Sequence, residues 1–268
     1  MHTDFLHAFT SQARFHSPAG NQDIEWNATT EQVEIGRLVL STGQIVACDP
    51  ICLPQEEDAT PFDLPDKPQQ FNLFDANYSA PPQIKDGHFP VILSVAHIQA
   101  VSSLGPFTYK KNACAKIQFT QALPVTWEMT SIKGQNLASH VDSEFFGCGL
   151  DLGYHIDLGY GADFGYGVDF GYGVDSGVGC FMDLGASRLL YERIDSDENY
   201  TSEMMTNRTW ENVVLDESSG LNIVMFTTGI GDGCYASYWG FDDKNNIACL
   251  VTDFMILGEP EKIKTIGT

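Results

Sequence analysis

Five aspartates, Asp49, Asp175, Asp183, Asp232 and Asp253, each close an apolar run, and Asp232 stands between two glycines. If the strand ends they mark converge on one opening, their carboxylates supply hard oxygen ligands for Ca²⁺ or Mg²⁺, or pair as general acid and base. Asp175, Asp183 and Asp232 are the metal candidates, with Asp49 or Asp253 as additional ligands. The competing reading is that Asp and Gly are the residues that end strands and make turns. A sharper candidate is the run Gly229-Ile230-Gly231-Asp232-Gly233-Cys234-Tyr235. Its closely spaced glycines let the backbone approach a ligand or another strand, and they place Asp232 at the apex. Gly229, Gly231, Asp232, Gly233 and Tyr235 are therefore the ligand-binding candidates, against the alternative of a tight turn or bulge. No phosphate loop is present, because G-x-x-x-x-G-K-[ST] is absent and G-x-G-x-x-G does not match.

Other chemistry fits less well. Asp242 to Asn246 and Asp195-x-Asp197-x-Asn199 begin like calcium loops but lack Gly at the sixth and Glu at the twelfth position, so they read as solvated turns. His97, His140 and His155 are available to a nucleophile triad, yet no G-x-S-x-G elbow accompanies them, and His97 within an apolar strand reads as structural. No nucleophile is assigned. Glu128 alternates outward from Trp127 and Met129, which makes it a solvent-facing side chain.

These residues need strands to hold them. Apolar residues at 5, 6, 8, 9, 13 and 15 predict a short N-terminal helix, and Arg37 to Cys48 reads as a hairpin ended by Asp49-Pro50. Seven of the twelve prolines lie between Pro54 and Pro90, a long irregular connection and a candidate lid. Strands are predicted at Phe89 to Ala96, at Ala115 to Phe119 and at Val125 to Met129, the last two by clean alternation. Ser187 to Ile194 reads as a helix capped by its serine. Leu221 to Thr227, Tyr235 to Phe241 and Ile247 to Phe254 read as strands, the last two forming a hairpin about Asp242 to Asn246. The expected class is mainly β, or α+β: an antiparallel, sandwich-like core with two or three peripheral helices.

Residues 151–174 form four hexads, DLGYHI, DLGYGA, DFGYGV and DFGYGV, and a fifth unit begins at Asp175. Six is a multiple of the strand period, so an extended chain puts Asp and Gly on one face and Leu or Phe, Tyr and Ile, Ala or Val on the other. A calcium β-roll needs a nine-residue repeat, and a hexapeptide solenoid needs more coils. Tandem duplication at a surface loop or strand end is the third reading, and it makes the last unit the one that belongs to the fold.

The 268 residues carry 36 acids against 14 bases, a formal charge of −22, and 43% of them are hydrophobic. That composition supports a real core, and the charge repels nucleic-acid phosphates and anionic lipid. A basic protein is the expected partner, and the expected cofactor is none or a divalent cation such as Ca²⁺ or Mg²⁺. No apolar run reaches bilayer length and the first twelve residues lack a secretion signal, so a cytoplasmic protein is expected. The seven cysteines are scattered without a C-x-x-C pair, which fits reduced, buried thiols better than a disulfide framework or zinc ribbon.

The motifs GRLVLSTGQIVACDP (36–50), GHFPV (87–91), VTWEM (125–129), FGYGVDSGVGCFMD (170–183), TTGIGDGCYASYWGFDD (227–243) and LVTDF (250–254) occur in an order that resembles the domain of unknown function 4241 family. The resemblance spans residues 35–257 and implies no particular reaction or catalytic residue. It sets residues 1–34 apart as an N-terminal helix and linker and 258–268 as a tail, with the hexads of 151–174 inserted in a single β-rich domain. Two functions remain open. One is a non-enzymatic protein-binding module; the alternative is a metal-dependent hydrolase or metal-binding domain that uses the clustered aspartates.

Overall fold

The computed structural model describes residues 4–16, 25–51, 61–64, 87–102, 105–130, 171–197, 200, 205 and 208–260. Their elements run α1 (Phe5–Ala8), β1 (Arg14–His16), β2 (Glu25–Leu40), β3 (Ile45–Cys48), β4 (Gly87–Ser102), β5 (Gly105–Gln118), β6 (Thr126–Met129), β7 (Tyr172–Val174), β8 (Val178–Asp183), α2 (Leu184–Ser196), β9 (Trp210–Val214), β10 (Asn222–Thr227), β11 (Gly233–Tyr235), β12 (Ser237–Phe241), β13 (Ile247–Asp253) and β14 (Glu259–Pro260). They make an eight-stranded sheet in the order β14-β1-β2-β4-β5-β13-β12-β6, a four-stranded sheet β3-β8-β10-β9, and a two-stranded ribbon β11-β7. The pairings are antiparallel, as the alternating segments require.

Burial explains the layering. One face of the small sheet, with Ala47, Phe181, Val224 and Phe226, joins the core formed by Val91, Leu93, Ile117 and Leu250 of the large sheet. Its other face, with Val46, Cys180, Met182, Ile223 and Met225, is covered by Ala186 and Leu190 of α2. A strand buried on both faces has no polar side to alternate with, which is why β10 is a continuous apolar run. The mainly β, sandwich-like architecture with few helices is thus as the sequence predicts.

Several local expectations change. The N-terminal helix is a single turn capped by Asp4, and the chain then enters β1, because Gln12 takes a positive φ of 63° that no helix can carry through. Residues 37 to 48 do not make a hairpin. β2 pairs with β1 and β4 in the large sheet, while β3 crosses to pair with β8 in the small one. α2 starts three residues before Ser187, and its cap is Asp183. The hairpin of β12 and β13 is present, its turn closed by Asp242, which accepts hydrogen bonds from the amides of Lys244 and Asn246. Among the described residues no helix is long and apolar enough to cross a membrane.

Candidate functional site

The candidate glycine run is the link from β10 to β11, and it folds against the turn between β7 and β8. β7 pairs with β11 so that Tyr172 faces Tyr235 and Val174 faces Gly233. Within the last hexad, Tyr172 and Val174 are buried and Gly173 is exposed, the face pattern read from the repeat. The three preceding hexads lie outside the described residues, as do His140 and His155 and most of the proline-rich connection. Gly171 adopts a φ of +112°, and a Cβ there would sit 2.0 Å from the Tyr235 carbonyl oxygen, so no other residue fits where the repeat enters the fold.

Three buried side chains, Asp49, Thr228 and Tyr235, brace this corner from below. The Asp49 carboxylate, just past β3, accepts the amides of Asp175 and Ser176 at 2.9 and 2.7 Å, the Ser176 hydroxyl at 2.8 Å and the amide of Ile51 at 2.9 Å. The Thr228 hydroxyl donates to the Gly231 carbonyl at 2.6 Å, and the Thr228 amide to the Gly177 carbonyl at 2.9 Å, which joins the two turns. Tyr235 donates its hydroxyl to Gly231 at 2.6 Å, and burial pushes its phenol up to about 12. A Cβ on Gly177 would lie 3.6 Å from the Gly231 Cα and 3.9 Å from Asp232 Oδ1, so the two turns touch. On top of this bracing Asp175, Asp232 and Ile230 face solvent, Ile230 at 45% exposure.

The remaining candidates are placed as follows. The close approach made possible by Gly229 is to the chain itself: a Cβ there would meet Ile256 Cγ1 at 2.3 Å and the Asn112 carbonyl oxygen at 2.7 Å. Asp183 lies at the far end of β8 from Asp175 and caps α2. Its two oxygens are occupied by the Ser41 and Thr42 amides and hydroxyls and by the Gly185 amide, at 2.8 to 3.3 Å. Asp253, at the end of β13, is buried and accepts the Met255 amide at 2.8 Å. The structure therefore brings Asp49, Asp175 and Asp232 to one corner and leaves Asp183 and Asp253 elsewhere. Among the described residues no three His, Cys, Asp or Glu side chains are grouped to hold a metal ion. The strand-end aspartates that lie inside the protein serve as acceptors for backbone amides.

Two features escaped the sequence reading. His97 faces outward rather than into the core: its Nε2 lies 2.7 Å from Glu31, and it lines a shallow groove of about 400 Å³ with Arg14, His16, Asn27, Thr29 and Gln99. Their one-face placement on β1, β2 and β4 follows from the register, which no single strand reveals. The second is Cys234, which is disulfide-bonded and so corrects the reading of the cysteines as reduced thiols. Cys48, Cys114, Cys180 and Cys249 are thiols, three of them buried, in keeping with that reading.

The model of a family described as "Protein of unknown function (DUF4241)" matches residues 38–162 and 156–252. The two matched segments overlap at 156–162, within the hexad tract. Neither the curated proteins nor the solved structures contain a match.

Proposed function

We propose that this chain, which belongs to the DUF4241 family, is a protein-binding module that recognises a basic partner at the corner formed by the 175–177 and 229–232 turns. One observation carries this reading: a corner braced by the buried Asp49, Thr228 and Tyr235 displays Asp175, Asp232 and Ile230 to solvent. Rigid bracing beneath exposed side chains is the arrangement by which loops hold a recognition surface. Two carboxylates beside an aliphatic side chain suit a Lys or Arg, whose apolar stem packs while its charge pairs. The net charge of −22 draws such a partner from a distance.

A fluorescent oligolysine peptide tests the reading by anisotropy. Binding is expected to weaken with salt, and the Asp175→Asn/Asp232→Asn double variant to bind about threefold to tenfold more weakly, two exposed ion pairs being worth roughly 1 kcal/mol together. Equal affinity of wild type and a folded double variant assigns the attraction to the whole acidic surface and removes the corner as the site.

A further inference from the structure

Cys48 and Cys180 stand directly opposite each other on β3 and β8, with their sulfurs 3.7 Å apart. Directly opposed residues of an antiparallel pair have Cα atoms about 4.5 to 5.5 Å apart, inside the range of roughly 4.4 to 6.8 Å that a disulfide spans. Closing the sulfurs to a bond of about 2.05 Å therefore asks for side-chain rotation and no strand movement. Among the described residues this is the one pair of thiols whose sulfurs lie in contact.

The two thiols are not equivalent. Cys180 is fully buried against the α2 side of the small sheet, and it donates its S–H to the Cys48 carbonyl at 3.3 Å. Cys48 ends its strand and is half-buried, so a small solute reaches it first. The other two thiols have different surroundings. Cys114 lies beside Asp253 and Cys249 near Lys116, and burial raises both, Cys249 to about 12.

We propose that Cys48 and Cys180 form a redox-active dithiol that a hydroperoxide converts to a disulfide, Cys48 being the attacked residue and Cys180 the resolving one. The Cys48 sulfur, as thiolate, attacks one oxygen of hydrogen peroxide; the O–O bond breaks, Cys48 becomes a sulfenic acid, and the leaving hydroxide takes up the proton that Cys48 released, departing as water. The Cys180 sulfur then attacks the Cys48 sulfur and displaces hydroxide, which leaves as water with the Cys180 proton. Two thiols and one peroxide yield one disulfide and two waters; each sulfur loses one electron and the two peroxide oxygens gain them. The new bond lies one residue before Asp49, whose carboxylate holds the 175–177 turn, so oxidation tethers the strand end that braces the corner.

The test is a non-reducing peptide map of the wild-type chain before and after a few equivalents of hydrogen peroxide, with remaining thiols alkylated in denaturant. A peptide joining Cys48 to Cys180 is expected only after oxidation and is expected to disappear with dithiothreitol, while the Cys234 disulfide is present in both maps. In Cys180→Ser the reaction is expected to stop at a Cys48 sulfenic acid that dimedone captures, with no capture in Cys48→Ser. The proposal is overturned if wild-type Cys48 and Cys180 both remain alkylatable, if Cys48 pairs with a different cysteine, or if dimedone captures Cys48 in the wild type without any disulfide following. The map needs no variant, so a misfolded Cys180→Ser does not remove the test.

Discussion

The Asp49 carboxylate accepts the backbone amide of Ser176 at 2.7 Å, across 127 positions of sequence. It takes three further donors, and it is 4% exposed. A buried carboxylate that receives several N–H and O–H groups is an anchor, since each donor would otherwise be desolvated without a partner. Asp49→Asn turns an NH₂ group toward donors and is expected to cost about 2 to 3 kcal/mol, while Asp49→Ala leaves the donors orphaned and costs more. Urea titration gives the loss. Wild-type stability in Asp49→Ala would show that the 175–177 turn holds itself.

Asp183 plays the same part at the other end of β8. Its oxygens collect five donors from the 41–42 connection and the start of α2, so one side chain joins β2, β3 and the helix. Asp183→Ala is expected to destabilise the fold by roughly 3 to 5 kcal/mol. Ser187→Ala, at the residue the sequence marks as the cap, is expected to cost under about 1 kcal/mol, since its hydroxyl only donates back to the Leu184 carbonyl inside the helix. A helix cap at Ser187 would reverse the order of the two losses in thermal unfolding.

Asp216 closes the turn before β10. The Ser219 hydroxyl, then the Ser218 hydroxyl and amide, hold its carboxyl down to about 2. A carboxyl lowered in the folded state binds fewer protons than in the unfolded chain, where it titrates near 3.9. Its contribution is therefore complete above about 4 and is lost as the pH falls towards 2. In Ser219→Ala the Asp216 carboxyl, followed by ¹³C NMR, is expected to titrate at higher pH. An unchanged midpoint would assign the effect to Ser218 alone.

How far the fold could be read depends on how each strand is buried. β10 and β13 announce themselves because both faces are apolar. The first half of β2 does not: its outer face carries Asn27, Thr29 and Glu31, and its inner face Trp26, Ala28 and Thr30, so buried small and polar residues mimic a loop. β9 reads WENVV and is half-exposed at a sheet edge, where alternation is weak. The aspartates were legible as special, but besides the nearby amides of Ile51 and Gly185 the Asp49 and Asp183 carboxylates take amides and hydroxyls more than 120 positions away, which no local spacing encodes. Strand-end aspartates look alike whether they hold a cation or a turn, and here Asp49 and Asp183 hold turns. The turn from β2 into β3 looked like a hairpin because Ser-Thr-Gly suits one; Asp183 captures its Ser41 and Thr42 and directs the chain into the second sheet.

Tyr172 is the buried tyrosine of the last hexad, and its position separates the part of that unit that packs from the part that does not. Its ring lies in the main core at 2% exposure, opposite Tyr235, and burial holds its phenol well above the ordinary value. The hydroxyl has no hydrogen-bond partner of good geometry in the structure. A buried hydroxyl without a partner carries a desolvation cost that a phenyl ring avoids, so the ring contributes the stability and the oxygen opposes it. Tyr172→Phe is expected to leave stability unchanged or raise it by about 1 kcal/mol, whereas Tyr172→Ala is expected to lose roughly 3 to 5 kcal/mol through the cavity. Guanidinium unfolding of the two variants separates the terms. A loss above about 1 kcal/mol in Tyr172→Phe would mean that the hydroxyl bonds to Thr252, and that the repeat retains Tyr at this position for its oxygen as well as its ring.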